Sequence, residues 1–227
     1  SFHEKEYSDY LVTFAKERGL RYVQDDMYNV IIYAPASQGY EDHEILLLQA
    51  HMDMVCEKNK DVEFDFEKEP LQLYIEDGWL KAKGTTLGAD DGCGVAAMLA
   101  ILDGDMPHPS LECVFTVQEE VGLCGALHLD GKYIHAKRVI NLDGGGEVST
   151  CTTSAGGANV ISQRTFMREP ISDPVYRLSV TGLSGGHSGG EIHREKGNAN
   201  KLLARTLYAI AKKEAVSLIH VEGGMKD

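Results

Sequence analysis

The sequence predicts an α/β fold, with a mostly parallel sheet layered by helices, followed by a smaller α+β domain. Three observations carry this reading. Ile45 to Ala50 (ILLLQA) is almost continuously apolar, the pattern of a strand buried on both faces of a parallel sheet. Helical and strand patterns alternate up to about residue 150, as in layered α/β sheets. Beyond Gly156-Gly157 the texture changes to polar-apolar alternation, the mark of antiparallel strands with one wet face.

The elements follow in order. Tyr7, Tyr10, Leu11, Phe14 and Ala15 recur at helical spacing, and Gly19 supplies the stop. Val30 to Tyr33 is a short β-branched run and hence a strand. Leu71 to Ile75 and Trp79 to Lys83 flank Asp77-Gly78 and form a hairpin, with Trp79 packing it. Val95 to Leu102 is a buried helix whose N-terminus lies near Asp90 to Gly92. Glu112 to Val117 and Arg138 to Leu142 are two further strands. In the second domain, Asn159 to Phe166, Tyr176 to Val180 and Val216 to Val221 read as strands. Ala199 to Lys213 reads as a helix whose basic last turn suits its dipole.

Composition bounds the function. The 227 residues hold 43% hydrophobic and 25% charged residues, which is globular and not disordered. Twenty-two basic residues stand against 35 acidic ones, a formal net charge of −13. Such a field repels nucleic acid and anionic membrane surfaces but attracts cations. The apolar runs are too short for a bilayer span, and no signal-peptide core is present, so a soluble cytoplasmic protein is expected. Five cysteines (56, 93, 113, 124 and 151) make no CxxC pair. They are expected to be reduced and mostly small buried side chains.

In an open α/β sheet, ligands bind beyond the carboxyl ends of the strands. Four motifs fall at such places: His51-Met52-Asp53, Asp90-Asp91, Glu119-Glu120 and Asp143 followed by three glycines. A lone strand-end histidine is usually structural, and paired acids are usually solvated. Four such motifs on one edge ask for a common cause. Imidazole with several carboxylates and no thiolate suits zinc, cobalt or manganese. On a strand, residues i and i+2 face the same way, so Asp53 can hydrogen-bond the ring of His51 and orient it.

HMDMV, GADDGCGVAAMLA, VQEEVGLCGA and NLDGGG, in this order, resemble the M20 family of dinuclear zinc aminopeptidases and dipeptidases. AHMDMVCEKN, TTLGADDGCGVA and GLSGGHSGGEIH point to its dipeptidase members, over essentially the whole chain. The resemblance implies two divalent ions, zinc first, with cobalt or manganese as alternatives. His51 would bind one ion and Asp53 would orient it. Asp90 would bridge both ions, its bond to Asp91 often being cis in the family. Glu120 would bind the second ion, Asp143 would complete the first, and Glu119 would be the general base. Residues 1–156 would be the N-terminal part of the catalytic domain, and 157–227 part of an inserted lid that forms a homodimer. His187 would reach a dimer-mate's site and stabilise the oxyanion. The family's last metal-binding histidine comes from a C-terminal return of the catalytic domain, which has no counterpart after Gly156, and neither His193 nor His220 is promoted to that role. The expected activity is hydrolysis of dipeptides, Xaa-His and broader.

Three competing readings are weighed. An N-acyl amino acid deacylase shares the metal chemistry, and a silent dimerisation module would explain the missing histidine. Gly186-His187-Ser188-Gly189-Gly190 matches the GxSxG nucleophile elbow, which needs a strand before it and a helix after it. A strand is expected to precede it, but Gly185 to Gly197 is rich in glycine and charge and makes a poor helix.

Overall fold

The structure is a computed structural model that describes residues 1–145, 148–153, 156, 160–185 and 191–223. It divides into two compact units, Ser1–Gly156 and Gly157–Asp227.

The first unit begins with α1 (Lys5–Glu17), which buries Ser8, Leu11, Val12, Phe14 and Ala15 along one face. Glu6 in its first turn and Lys16 in its last complement the helix dipole. Gly19 ends it with φ +65°, a conformation open to glycine, while the Leu20 amide closes back on the Ala15 carbonyl at 2.9 Å. Five strands make the central sheet: β1 (Arg21–Gln24), β2 (Val30–Ala34), β3 (Leu46–His51), β6 (Leu111–Thr116) and β7 (Arg138–Asn141). Their spatial order is β1-β2-β6-β3-β7. β2 runs antiparallel to β1 and β6, while β3 is parallel to β6 and β7, so four of the five strands point the same way. β1 is a polar four-residue edge strand with too little pattern to stand out in the sequence.

Alternate residues of the strands face two apolar layers. One holds Leu11, Phe14, Val30, Ile32, Leu48, Ala50, Cys113 and Phe115, with Val95 and Met98 of α2 (Ala89–Asp103). The other gathers Ile31, Tyr33, Leu47 and Val114 against Leu129, Tyr133 and Ile134. Each fully buried side chain of this size contributes about 1.5–3 kcal/mol of transfer free energy, so the sheet is a rigid platform for whatever stands at its rim. α3 (Cys124–His128) is a five-residue helix after β6, too short to be read from periodicity.

The hairpin forms as β4 (Leu73–Glu76) and β5 (Trp79–Ala82), with positive φ at both Asp77 and Gly78. Trp79 does not pack it: the side chain is exposed, as are Leu73, Ile75 and Leu80. A two-stranded ribbon has no second layer to bury either face. The cysteine expectation also needs correcting. Only Cys113 is buried, Cys124 is half-buried, and Cys56, Cys93 and Cys151 are exposed. Cys93 lies on the outer face of α2, because Gly94, Val95 and Met98 take the side against the sheet.

In the second unit, α4 (Ala199–Ala211) forms, but it ends two residues earlier than expected, so Lys212 is its C-cap and its last turn holds no basic residue. The Asn198 side chain accepts the Lys201 amide at 2.9 Å and caps its start. The expected strands do not form: 160–166, 176–180 and 216–221 carry no ladder, and Val160, Ile161 and Tyr176 are exposed. Residue 159 lies outside the described residues. Alternation chooses which face a strand would bury, but a ladder requires a partner strand. The described residues of this unit supply none.

Candidate metal centre

Strand register builds the site. His51, the last residue of β3, is level with Thr116 at the end of β6, and Gln49 is level with Asn141 at the end of β7. Beyond these ends, the Met52 amide still bonds the Thr116 carbonyl at 2.7 Å and the Leu142 amide bonds Gln49 at 2.8 Å. Glu119 and Asp143 therefore emerge beside His51, at the carboxyl edge of three parallel strands. The Gln49 and Asn141 side-chain amides also bond each other across this edge.

His51 is the centre of the cluster, 1% exposed. Its Nε2 lies 2.9 Å from Asp90 Oδ1, 3.9 Å from Asp143 Oδ2 and 4.0 Å from Glu119 Oε2. Its Nδ1 faces the backbone carbonyl of Asp53 at 2.9 Å, with the Asp53 carboxylate farther off at 3.5 Å. The side chain of Asp53 does more with the acid pair than with the ring. Its oxygens accept the Glu119 amide at 2.9 Å, the Glu120 amide at 3.3 Å and the Ser1 hydroxyl at 2.6 Å.

Asp90 and Asp91 take opposite roles at the start of α2, where the peptide bond between them is cis. The Asp90 side chain is 72% exposed and turned to His51. Asp91 is buried and accepts the Gly94 amide at 3.1 Å and the His51 backbone amide at 3.3 Å, tying α2 to the end of β3. Gly94 is required there, because a Cβ would sit 2.5 Å from Asp91 Oδ1.

The electrostatics follow from burial and crowding. Burial opposes a charged His51 ring. The hydrogen bonds to Asp53 and Asp90, together with Glu119 nearby, outweigh it and push His51 up to about 10. Burial also opposes ionised Asp53, yet His51, Ser1 and the two backbone amides hold its carboxyl well below the usual carboxylate range. Burial raises Glu119 against the pull of His51, with Asp143, Glu120 and Asp53 adding to the rise. Burial and neighbouring Asp90 raise Asp143. Several acids around one imidazole thus hold a proton where a divalent cation would serve the same balance of charge.

Two groups of side chains could each offer one donor atom within 4.8 Å of one another: His51, Asp90 and Glu120, and His51, Glu119 and Asp143. One imidazole with carboxylates and no thiolate fits zinc, cobalt or manganese. The five residues expected to bind metal or act as base are all brought to one place. Both groups run through His51, and Glu119, expected as base, stands within ligand distance. His187 lies outside the described residues, as does Ser188. The serine-hydrolase alternative has no support in its surroundings. No strand lies among residues 176–185, and the first helical element among the described residues after the motif is the 3-10 turn Ile192–Arg194.

Three side chains that bond the surroundings of the site escaped the sequence. Asp91 was one half of an acid pair, the Ser1 hydroxyl carried no motif, and Asn29, bonded to the backbone of Val117 and Gly125, belongs to a turn far away in the chain. The spacing Asp25 to Asn29 before a β-branched run is a turn signal, but nothing in it points to a site 90 residues on.

The chain matches the model of peptidase family M20/M25/M40 over residues 47–225. It is 44% identical over 227 residues to the cytosol non-specific dipeptidase of Escherichia coli K12, covering 99% of this chain and 47% of that protein. It also resembles the crystal structure of aminoacylhistidine dipeptidase from Vibrio alginolyticus, with TM-score 0.65 and 34% identity, over 94% of this chain and 44% of that one. A third likeness is to the aminopeptidase PepT of Bacillus cereus, with TM-score 0.53 and 30% identity, over 64% of this chain and 39% of that one. The chain thus spans about half the length of the relatives it matches. No helix among the described residues is long and apolar enough to cross a membrane. The matched region takes in His51, Asp90, Glu119, Glu120 and Asp143, and on that ground the chain belongs to peptidase family M20/M25/M40.

Proposed function

We propose that the protein carrying this chain is a metal-dependent dipeptidase of the cytoplasm, hydrolysing Xaa-His and other dipeptides. The observation that carries the reading is the meeting of His51 with Asp90, Glu119, Glu120 and Asp143 at the carboxyl edge of β3, β6 and β7. The names of the E. coli and V. alginolyticus relatives support the substrate class.

His51, Asp90, Glu120 and Asp143 would hold two divalent ions, zinc first, with cobalt or manganese as alternatives. Bound there, the ions lower the pKa of water towards about 7 and polarise a peptide carbonyl. Asp53 fixes the acid pair through the Glu119 and Glu120 amides and keeps the His51 ring in place through its carbonyl. Glu119, half-buried and raised in pKa, takes a proton from the attacking water and passes it to the leaving amine. Residues 1–156 serve as the N-terminal part of the catalytic domain, and 157–227 as part of a lid that pairs two subunits. His187 of the second subunit would donate to the oxyanion, a role worth about 3 kcal/mol. The last ligand of the second ion would come from a part of the protein beyond this chain.

The test is turnover of Gly-His and β-Ala-His by the full-length protein, before and after chelation. Hydrolysis lost to chelator and restored by zinc supports the reading. Cleavage of N-acyl amino acids with no dipeptide turnover assigns a deacylase instead. Neither activity in the metal-loaded protein leaves a binding module.

A further inference from the structure

Asn29 stands at the back of the site and touches none of the candidate ligands, yet it is 1% exposed. It closes the turn from β1 into β2. Antiparallel pairing of Val30 with Phe115 sets it beside the end of β6. Its side-chain oxygen accepts the Val117 amide at 3.0 Å, and its Nδ2 donates to the Gly125 carbonyl at 3.0 Å. Val117 and Gly125 are the two ends of the loop that carries Glu119 and Glu120. One amide group thus acts as a peptide unit inserted between them, donor to one end and acceptor from the other.

The loop is otherwise closed on itself. The Gly125 amide bonds the Val117 carbonyl at 3.1 Å, Cys124 bonds Gln118 at 3.1 Å, and Gly122 and Leu123 both bond the Glu119 carbonyl at 3.0 Å. Gln118 and Leu123 hold φ of +53° and +60°, unusual for residues with a Cβ, so the loop is kept in this shape by its surroundings. Asp25 locks the amide that does so. Its Oδ2 accepts Asn29 Nδ2 at 2.7 Å, while its Oδ1 accepts the backbone amides of Met27 and Asn29 at 2.9 Å. Two acceptors at Nδ2 and a donor at Oδ1 settle which way the amide faces.

We propose that Asn29, held by Asp25, is a positioning residue for the Glu119–Glu120 pair. It clamps the loop from behind while Asp53 clamps it from the metal side. Aspartate at 29 could still accept from Val117, but it would lose the donor to Gly125 and set a second carboxylate against Asp25. Misplacing a reacting group by about 1 Å costs on the order of a hundredfold in rate. Asn29→Ala and Asn29→Asp should therefore lower kcat ten- to a hundredfold while KM stays within about twofold.

The activity arm rests on the dipeptidase reading, and a structural arm is independent of it. In the full-length protein, hydrogen exchange of the metal-free form should rise in residues 117–125 of both variants. Leu111→Ala, a core truncation at the opposite end of β6, is the control for general destabilisation. Faster exchange confined to 117–125, with kcat lost in the Asn29 variants and kept in Leu111→Ala, establishes the clamp. Unchanged exchange in 117–125, or an equal kcat loss in Leu111→Ala, overturns it. Glu119→Gln, run alongside, separates the two failures: full turnover there refutes the general base and leaves the exchange arm to judge Asn29.

Discussion

A single methyl group added at Gly125 moves the Glu119–Glu120 loop without touching either acid. The Cβ of Gly125→Ala would stand 2.3 Å from the Val117 carbonyl oxygen and 2.5 Å from Asn29 Oδ1, where ordinary contact begins at 3.4 Å. The two ends of the loop must therefore part by about 1 Å. Three hydrogen bonds span that gap: Gly125 amide to Val117, Val117 amide to Asn29, and Asn29 to the Gly125 carbonyl. At about 1 kcal/mol each, their loss costs about 3 kcal/mol. Gly125 lies in α3 with an unexceptional φ, so alanine returns about 1 kcal/mol of helix propensity. The net expectation is a loss of about 2 kcal/mol, read from urea unfolding of the full-length protein. The shift should also lower kcat on the order of a hundredfold. Propensity alone predicts the opposite sign. A variant as stable as the parent or more so, with unchanged kcat, would refute the tight closure of this loop.

Three more predictions concern the same rim and the thiols. Glu119→Gln should keep its metal content by elemental analysis and lose turnover by about 10²–10⁴-fold, as expected for removal of a general base. Asp53→Asn turns an NH₂ group against the Glu119 and Glu120 amides or gives up one of them, and it should weaken zinc about 10–100-fold in competition with a chromophoric chelator. Alkylation at pH 8, read by mass spectrometry, should label the exposed Cys56, Cys93 and Cys151 and spare Cys113 in the native protein. Burial pushes the Cys113 thiol up to about 12, so its thiolate fraction at pH 8 is negligible until unfolding exposes it.

Local pattern was enough for much of the first unit. The apolar run at Ile45 to Ala50 could bury itself only in a sheet covered on both faces, and β3 pairs in parallel on both sides. Gly19 after an amphipathic stretch announced the end of α1, and Asp77-Gly78 the β4–β5 turn, because positive φ is a property of a few residue types. The same reasoning failed at 160–166, 176–180 and 216–221, where alternation was present and a partner strand was not. It failed again at Trp79, since one aromatic ring on a two-stranded ribbon has nothing to pack against.

The chemistry divides along the same line. Which residue types gather at strand ends, and that they are imidazole and carboxylate with no thiolate, is a property of the sequence alone. So is the order of motifs that resembles the M20 family. Distances are not. That His51 stands 3.9 Å from Asp143 depends on the parallel register of β3, β6 and β7, which pairs residues 65 and 92 positions apart, and its 2.9 Å to Asp90 depends on Asp91 tying α2 to the end of β3. That Asp53 spends its carboxylate on the Glu119 and Glu120 amides, and Asn29 its amide on Val117 and Gly125, is decided only when three segments meet. Backbone donors look alike in every sequence. Side chains that hold them leave no motif, because their partners are peptide groups and not particular residues.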